Sequence, residues 1–547
     1  MRRALRFPLL AFLLLAPYAA AQAPQFSQED FAAPGATSQD RFGEFMDLDA
    51  THLAVGIPQR SVAGVPAVGV VAISPRTGST FGTAVLLDAP MAGGQRFGQS
   101  VVLDSGELLV AEQRTPIYGS PTRSAVHRYE NAGGAWSLVD SIENPGFAAS
   151  NQFGVDMDRD GDLLAVGAPN ETAMGAVGGA VYLYRLVGGA WVAEDMLIPS
   201  DGTSSDFFGQ SVAVSGDRVI VGAPRKRNGS VIEGAAYAFE RIGSTWTETE
   251  RFAIEPGSGD TGLGQSVDID GVTAVIGAAR TNDVGAAYVH LDAGASWTLQ
   301  ERLQPDLLTS FATFGHSVSL AGDELVAGAY QDSAASFASG AAWFFRRTGS
   351  VWTPIVRLVG TPPTGFHGFS VMTDGSGTVL VGEPVGTAIG APTSSGAVHV
   401  YEPASPIGTE YCSPVPNSTG DTGRLAVFGS EVAADDDITL VGYELPQSAF
   451  GFFLASRTQG LVNQPGGSQG VLCLGGEIGR YVGPGQILNS GAAGLFSLEL
   501  DLAQTPTPTG FVSVIAGETW NYQAWHRDVV NLNATSNFTE AVSVAFQ

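Results

Sequence analysis

Short runs of apolar residues, separated by glycine-containing turns, follow one another along most of the chain. A typical stretch is FGQSVAVSGDRVIVGAP from Phe208, in which two apolar runs flank the turn Ser215-Gly216-Asp217. Apolar runs of roughly four to eight residues bounded by turn signals are typical of β-strands. No segment shows the 3.6-residue period of an amphipathic helix. The pattern therefore predicts an all-β protein.

The same stretch recurs seven times at nearly constant spacing. The glycines that the copies share are Gly43, Gly98, Gly154, Gly209, Gly264, Gly315 and Gly368, separated by 55, 56, 55, 55, 51 and 53 residues. Each copy continues with a variable segment and a third apolar run, and five copies have a fourth run that starts near a tryptophan. Four strands in about fifty residues describe a propeller blade. We therefore predict a seven-bladed β-propeller over residues 22–403.

The two ends of the repeat complement each other. The seventh copy has its third run, AVHVY after Gly396, but no tryptophan-led fourth run. The residues before the first copy, FSQEDFAAPGATSQDRFG from Phe26, align with the fourth run of the third copy and the segment that follows it. We therefore expect the N-terminal strand to complete the seventh blade, because a closed ring leaves no exposed seam.

The first 21 residues have the layout of a secretory signal peptide. Arg2, Arg3 and Arg6 precede the apolar run Leu9–Leu15, and Ala19–Ala21 offers a small-residue cleavage site. The apolar run is too short to span a bilayer, and no other stretch approaches the length of about eighteen apolar residues that a span needs. We expect an exported protein, secreted or held at the cell surface, with no membrane span.

The composition changes after the seventh copy. Strand-like runs such as RLAVFG from Arg424 and FGFFLAS from Phe450 are separated by Gly, Pro and Asn clusters and show no repeat. They predict a second all-β domain over residues 404–547, most simply a β-sandwich-like module. Both cysteines, Cys412 and Cys473, lie in this domain. An isolated pair in an exported chain is usually a disulfide, and two buried free thiols are the alternative.

The net charge of the chain narrows the range of molecules and surfaces that it could bind. The chain has 27 Lys and Arg against 54 Asp and Glu, a formal net charge of -27. Nucleic acid and anionic membrane surfaces are therefore excluded as main partners, because both attract basic surfaces. With 44% hydrophobic and 15% charged residues the chain is not intrinsically disordered, and its 71 glycines agree with many tight turns.

The FGxSV…VGAP units resemble FG-GAP repeats, the blades of integrin α-subunit propellers and of many secreted bacterial proteins. The resemblance implies ligand binding or adhesion more often than catalysis. The stretch GGSQGVLCLGGEIGRY from Gly466, together with the C-terminal residues, resembles a C-terminal module found on large secreted proteins of planctomycete-type bacteria. That second resemblance implies a location outside the cytoplasm and indicates no chemistry.

The tightest acidic cluster is Asp156, Asp158, Asp160 and Asp162, in the sequence DMDRDGDLL. It resembles the calcium loop of integrin-type blades, in which alternating oxygens converge on a hard cation. The family loop has a further Asp about four residues after the third one, where this chain has Leu164. A calcium site and a polar hairpin turn both fit these residues. We expect no other cofactor.

One stretch matches a catalytic motif. Gly466–Gly470 has the G-x-S-x-G form of a nucleophile elbow around Ser468, and Asp501 and His526 follow in the order found in α/β-hydrolases. The elbow needs a strand before the serine and a helix after it, whereas the strand-like VLCLGG follows here. We therefore interpret this segment as a glycine-rich turn without catalytic function.

The histidines give no metal-ligand pattern. They fall at different places in different copies, and none forms an H-E-x-x-H or another ligand spacing. We interpret them as surface or packing residues, among them His52, His127, His290 and His316. Three function classes remain: a binding or adhesion protein, a structural component of the envelope or matrix, and an enzyme acting on extracellular polymers. The first is favoured and no enzyme is predicted, because signal peptide, propeller and C-terminal module occupy the whole length.

The connecting loops indicate where a ligand would bind. In a four-stranded blade, the loops from strand two to three and from strand four to the next blade lie on one face. Here these loops are long and differ in every copy, and long irregular loops on a rigid scaffold usually carry binding. We expect an extracellular protein or glycan to dock on this face of a monomeric propeller. Arg225, Lys226 and Arg227 form a basic spot there, suited to an acidic group of a ligand or to a solvated loop.

Overall fold

The computed structural model describes residues 26–547 apart from a series of short gaps. The gaps are 38–39, 79, 91–94, 115–122, 147–150, 173–177, 255–257, 280–283, 295, 306–307, 334–338, 360–364, 386–394, 404–405, 421, 492–493 and 531–532. The described residues group into two compact units, whose main segments are Gln28–Glu402 and Pro403–Gln547. Strands dominate both units, and the helices in the described residues are three single-turn 3-10 helices. The predicted signal peptide, residues 1–21, lies outside the described part of the chain.

Seven sheets succeed one another in the described part of the first unit, and we number them in the order of the repeats. The strands are Phe45–Leu48, His52–Ile57, Val70–Thr77, Thr80–Phe81 and Val85–Asp88 in sheet one, and Phe97–Asp104, Glu107–Glu112, Ala125–Ala132 and Ala135–Glu143 in sheet two. They are Met157–Asp160, Leu163–Ala168, Ala180–Val187 and Ala190–Leu197 in sheet three, Ser211–Ser215, Arg218–Ala223, Ala235–Ile242 and Thr245–Phe252 in sheet four, and Leu263–Asp270, Thr273–Ala278, Ala286–Asp292 and Trp297–Leu303 in sheet five. They are Val318–Ala321, Glu324–Ala329, Ala341–Thr348 and Val351–Leu358 in sheet six, and Ser370–Thr373, Val379–Glu383, Ala397–Pro403 and the N-terminal Phe26–Phe31 in sheet seven.

Burial explains the hydrophobic pattern of each repeat. The second strand, such as Leu163–Ala168, is buried at every position because neighbouring sheets cover both of its faces. The fourth strand has only its inner side covered, so Thr245–Phe252 alternates between exposed and buried positions. The tryptophan near the start of that strand, Trp246, is buried against the core shared by sheets three and four.

The serine of FGxS joins sheets four, five and six each to the next sheet. In successive copies the serine Oγ donates a hydrogen bond to the carbonyl oxygen of the next FG glycine. These bonds join Ser211 to Gly264 (3.0 Å), Ser266 to Gly315 (2.9 Å) and Ser317 to Gly368 (3.1 Å). A Cβ on the glycine of VGAP, such as Gly222, would overlap the same carbonyl oxygen. Six of the seven copies have glycine there, because the two backbones approach closely, and copy two has Ala111 instead.

Sheet seven contacts sheet one through the same set of interactions. Ser370 Oγ donates to the carbonyl oxygen of Gly43 at 2.6 Å, and a Cβ on Gly382 would overlap that oxygen. Phe42 forms a parallel bridge with Gly396, as Phe208 does with its counterpart in sheet three. The strand Phe26–Phe31 takes the outer position in sheet seven. The series of sheets therefore closes on itself, and the predicted all-β propeller fold is confirmed.

The second unit is built from antiparallel strands around one core. Its largest sheet contains Thr409–Tyr411, Phe450–Ser456, Gly479–Arg480, Leu488–Asn489, Thr519–Val530 and Asn533–Ala545. A second sheet contains Arg424–Gly429, Ile438–Tyr443 and Phe496–Leu500, and two hairpins pair Thr458–Asn463 with Val471–Gly475 and Thr505–Thr507 with Gly510–Val512. The 3-10 helices are Ala433–Asp435, Pro465–Gly467 and Leu502–Gln504. Side chains of both large sheets, among them Leu440, Phe453 and Tyr522, share the core, which is the packing of a sandwich.

Cys412 and Cys473 form a disulfide in this unit, as the sequence indicates. Cys473 lies in the strand Val471–Gly475 and is fully buried. The hydroxyl of Tyr411, next to Cys412, donates to the carbonyl oxygen of Cys473 at 3.2 Å. The bond therefore ties the N-terminal end of the unit to one of its hairpins.

Candidate functional site

Each repeat enters its first strand through a four-residue turn, which we call the FG turn. It runs from the residue before the phenylalanine to the residue after the glycine, as in Phe207–Gln210. In all seven copies the last residue donates its N–H to the carbonyl of the first, at 3.0–3.3 Å. The glycine has φ between +83° and +88°. A hydrogen-bonded turn with positive φ at its third position is a type II turn, which explains why the motif requires this glycine.

The first residue of the FG turn also has positive φ in every copy. The values are +59° at Arg41, +51° at Arg96, +61° at Gln152, +61° at Phe207, +75° at Gly262, +58° at Thr313 and +64° at Phe366. Six of these seven residues are not glycine, although this region of φ disfavours residues with a Cβ. Strained backbone of this kind is concentrated at functional sites. The seven turns therefore share one backbone conformation, while the residue at their first position differs between copies.

A cavity of about 580 Å³ lies over the FG turns of sheets four to six. The first and last residues of those three turns line it, and so do residues of the loops that follow the second strands. The lining residues are Phe207, Gln210, Pro224, Arg225, Ile232, Gly262, Gln265, Ala279, Thr313, His316 and Tyr330. These loops belong to the face on which the sequence predicts ligand binding.

The cavity combines one cation with aromatic and amide groups. The Arg225 guanidinium lies over the Phe207 ring, 4.5 Å from its centroid. His316 packs against Tyr330, with ring centroids 4.4 Å apart, and burial lowers the pKa of His316 to about 4. The imidazole is therefore neutral at pH 7, and among the described lining residues Arg225 supplies the only full positive charge. The amides of Gln210 and Gln265 offer both donors and acceptors.

The FG turn of sheet one carries a different set of charges. Arg41 Nε lies 2.9 Å from Glu44 Oε2, and its guanidinium stands over the Phe369 ring at 5.8 Å. Burial raises the pKa of Glu44, and the charges of Arg41 and Arg96 counteract part of that rise. On this side of the face Arg41 is therefore both paired with a carboxylate of the protein and stacked on an aromatic ring.

The structure separates the three basic residues that the sequence groups together. Only Arg225 lines the cavity. Lys226 is buried, with Nζ 3.1 Å from Asp206 and 3.2 Å from Asp201, so its ion pairs hold the loop in place, while its predicted contact with a ligand stays a prediction. Arg227 lies exposed at the start of a small hairpin formed by Arg227–Asn228 and Val231–Ile232, and its Nη1 donates to Ser230 at 3.1 Å.

The aspartates of the predicted calcium cluster form a row instead of a cage. Asp156 directly precedes the first strand of sheet three, and Asp158 and Asp160 lie within it. Each of the three accepts a hydrogen bond from a backbone N–H of sheet four. The pairs are Asp156 with Val212 (2.8 Å), Asp158 with Val214 (2.7 Å) and Asp160 with Gly216 (2.8 Å). Asp162 accepts instead from Arg185, at 2.8 Å. Calcium needs oxygen ligands that converge on one point, whereas these four carboxylates have separate hydrogen-bond partners. Calcium binding by them stays a prediction.

The residues of the formal nucleophile elbow have separate partners. Ser468 Oγ donates to the carbonyl of Ser536 at 2.8 Å, and Asp501 accepts from the N–H of Ala503 at the start of a 3-10 helix. His526 Nδ1 lies 3.1 Å from the carbonyl oxygen of Arg527. The strand Val471–Gly475 follows the serine, where the elbow would need a helix. The three side chains form no triad.

Sequence reasoning missed one cluster in sheet seven. Among the described residues, the set of three metal-ligating side chains with ligand atoms within 4.8 Å of one another is His367, Glu383 and His399. Burial raises the pKa of Glu383, but hydrogen bonds from the two histidines outweigh it and hold the pKa at about 2. Both histidines of the cluster fall in sequence contexts without a metal-ligand spacing, so the sequence predicts only surface or packing roles for them. The sequence does contain a signal for this cluster, because all three residues differ from those that are typical of the repeat at the aligned positions.

The fold is that of a β-propeller, and FG turns and variable loops of one of its faces line the cavity. The family model for the FG-GAP repeat matches residues 191–239, 246–290 and 297–345, each running from the fourth strand of one sheet to the third strand of the next. The first unit is therefore an FG-GAP β-propeller. FG-GAP repeats together with the disulfide suggest an extracellular domain.

Other comparisons add little about this chain. It is similar to a chain in a solved structure described as "Crystal Structure of Mitotic Checkpoint Complex", with 10% identity and a TM-score of 0.45 over 73% of this chain and 98% of that one. No curated protein matches it. Within the described residues, no helix has the length and apolar character needed to cross a bilayer.

Proposed function

We propose that this is an exported binding protein, secreted or held at the cell surface, which engages an extracellular ligand through the FG-turn face of its propeller. The observation that carries the proposal is the cavity over the FG turns of sheets four to six, where variable side chains stand on an invariant backbone. FG-GAP propellers are often binding modules, which agrees with this role.

The chemistry of the cavity favours a ligand with an anionic group. Arg225 is the one full cation among the lining residues that the structure describes, and its guanidinium stacks on the Phe207 ring beneath it. A guanidinium recognises carboxylate or sulfate groups through paired hydrogen bonds. Tyr330 and the neutral His316 add aromatic surface beside it, which suits the apolar face of a sugar ring or of a peptide side chain.

A binding screen with a matched pair of variants tests this proposal. The mature chain is applied to arrays of acidic and neutral glycans and of extracellular proteins, and the affinity of each hit is then measured by calorimetry. We expect Arg225→Ala to weaken binding by about tenfold or more, because a charged hydrogen bond is lost. Arg227→Ala is the control, since Arg227 is an exposed arginine two residues away that does not line the cavity.

Two results would contradict the proposal. One is a ligand that binds Arg225→Ala and the wild type equally well. The other is a ligand whose affinity falls with Arg227→Ala but not with Arg225→Ala. Circular dichroism of both variants shows whether the propeller has kept its fold. Lys226 is left intact in every variant because its ion pairs hold the loop.

A further inference from the structure

Three departures from the repeat meet at one point of sheet seven. His367 stands where five other copies have the phenylalanine of FG, and Glu383 stands where most have the alanine of GAP. His399 occupies a third-strand position that is tyrosine in sheets three to five. In sheet four the corresponding residues are Phe208, Ala223 and Tyr237, all in the apolar core. Sheet seven thus replaces three core residues by three metal-ligating ones.

The three side chains are close together and buried. His367 Nδ1 lies 3.2 Å from Glu383 Oε2, and His399 Nε2 lies 2.9 Å from the same oxygen. The relative exposures of His367, Glu383 and His399 are 0%, 3% and 2%. A tetrahedral zinc ion with ligands at about 2.0–2.1 Å separates those ligands by about 3.3 Å. The observed separations are close to that value.

A fourth residue prepares His367 for this role. Tyr401 OH lies 3.2 Å from His367 Nε2, on the opposite side of the ring from Glu383. When Nε2 carries the proton and donates it to the tyrosine oxygen, the lone pair of Nδ1 faces Glu383. Metal-ligating histidines in general have their second ring nitrogen fixed in this way. Tyr401 is therefore a positioning residue.

Sheet two shows how the same chain neutralises such a carboxylate without a metal. Glu112 and His127 occupy the positions of Glu383 and His399, and His127 Nε2 lies 2.8 Å from Glu112 Oε2. There the Arg114 guanidinium contacts Glu112 at 2.6 Å, and Phe97 keeps the FG position apolar. In sheet seven the position of Arg114 is taken by Val385.

We propose that His367, Glu383 and His399 form a buried structural site for a divalent transition-metal ion, with zinc as the ion that fits best. Two imidazole nitrogens and a carboxylate oxygen are a donor set that zinc accepts, with a water or the second carboxylate oxygen in the fourth position. The ion would supply the positive charge that Arg114 supplies in sheet two. It would also fasten the second and third strands of sheet seven to the FG turn, next to the junction with sheet one.

Zinc content and thermal stability of the full mature chain test the proposal. Tag-free protein is produced in zinc-supplemented medium, so that the ion is present while the chain folds. Metal analysis by mass spectrometry should find about one zinc per chain, and X-ray absorption should show nitrogen and oxygen ligands. Removal of zinc by a chelator should lower Tm, because the ion binds only the folded state.

Two variants that restore the repeat make the test specific. His367→Phe and His399→Tyr introduce the residues that the other sheets carry, so the fold should persist while zinc affinity falls by more than about 100-fold. His127→Tyr changes the equivalent histidine of sheet two and should leave the zinc content unchanged. Absence of zinc from the wild type, or equal zinc in the wild type and either sheet-seven variant, would overturn the proposal in favour of metal-free hydrogen bonds between each histidine and Glu383.

Discussion

Position in the fold decides what a residue does here, even between neighbours of the same type. Arg225 and Lys226 are adjacent cations, yet one stacks on an aromatic ring in the cavity and the other is buried between Asp201 and Asp206. Asp156 is a similar case, because it stands where the five other copies after the first have the serine of FGxS. At this position a serine hydroxyl, which is a hydrogen-bond donor, is replaced by a carboxylate. The Asp156 carboxylate accepts a hydrogen bond from the backbone N–H of Val212 at 2.8 Å.

The protonation of Asp156 should make stability depend on pH. Burial raises the pKa of this carboxyl to about 7 from its ordinary value of 3.8. Between those pH values the folded protein keeps a proton that the unfolded chain has released, so this contribution to the free energy of unfolding is lost as pH rises towards 7. We expect Asp156→Asn, which keeps an acceptor without the charge, to be more stable than the wild type at pH 8 by about 1–3 kcal/mol and nearly equal at pH 4.

Urea unfolding at several pH values measures this difference. Asp160→Asn is the control, because Asp160 lies in the same row but its hydrogen bond to Gly216 is exposed. A gap between Asp156→Asn and the wild type that does not widen from pH 4 to pH 8 would contradict the prediction.

At the scale of the strand, adjacent sheets are joined by polar bonds at fixed positions of the repeat. The residue five places after the FG phenylalanine accepts from the backbone N–H of the next sheet in several copies. The pairs are Asp47 with Leu103 (2.7 Å), Asp158 with Val214 (2.7 Å), Asp268 with Leu320 (2.7 Å) and Ser319 with Thr373 (3.2 Å). These side chains satisfy N–H groups of first strands that have a strand neighbour on one side only.

The serine bond at the junction of sheets seven and one gives a direct test of ring closure. Ser370→Ala removes the bond from Oγ to Gly43, and we expect it to lower the free energy of unfolding by about 1 kcal/mol. Ser317→Ala removes the equivalent bond to Gly368 between sheets six and seven and should have a similar cost. Chemical denaturation of both variants compares them. If Ser317→Ala is destabilising and Ser370→Ala is neutral, sheet seven does not close on sheet one in solution.

At the scale of the whole molecule, the two units draw their stability from different sources. The propeller repeats one core between each pair of sheets, as in the cluster shared by sheets three and four. The unit Pro403–Gln547 has one main core and a disulfide between residues 61 positions apart. A cross-link of this loop length stabilises a fold by about 4 kcal/mol on the chain-entropy account.

Loss of the disulfide should therefore affect one unit only. We expect Cys412→Ser combined with Cys473→Ser to increase amide hydrogen exchange within Pro403–Gln547 and to leave exchange within Gln28–Glu402 unchanged. Hydrogen exchange read by mass spectrometry resolves the two units in the full chain. The intact mass of the wild type should also rise by about two daltons on reduction, as expected for one disulfide. Equal changes in both units would contradict this prediction.

The sequence alone determined the strand pattern, the repeat and the pairing of the two cysteines. These properties are local or periodic: a buried strand must be apolar, the FG turn needs a glycine with positive φ, and a copy every 51–56 residues reveals the blade. The tertiary structure decided that Arg225 faces the cavity and that Lys226 is buried. It also brought His367, Glu383 and His399 together, because residues 16 positions apart meet only once the register of adjacent strands is set. No spacing within one strand could have shown that contact.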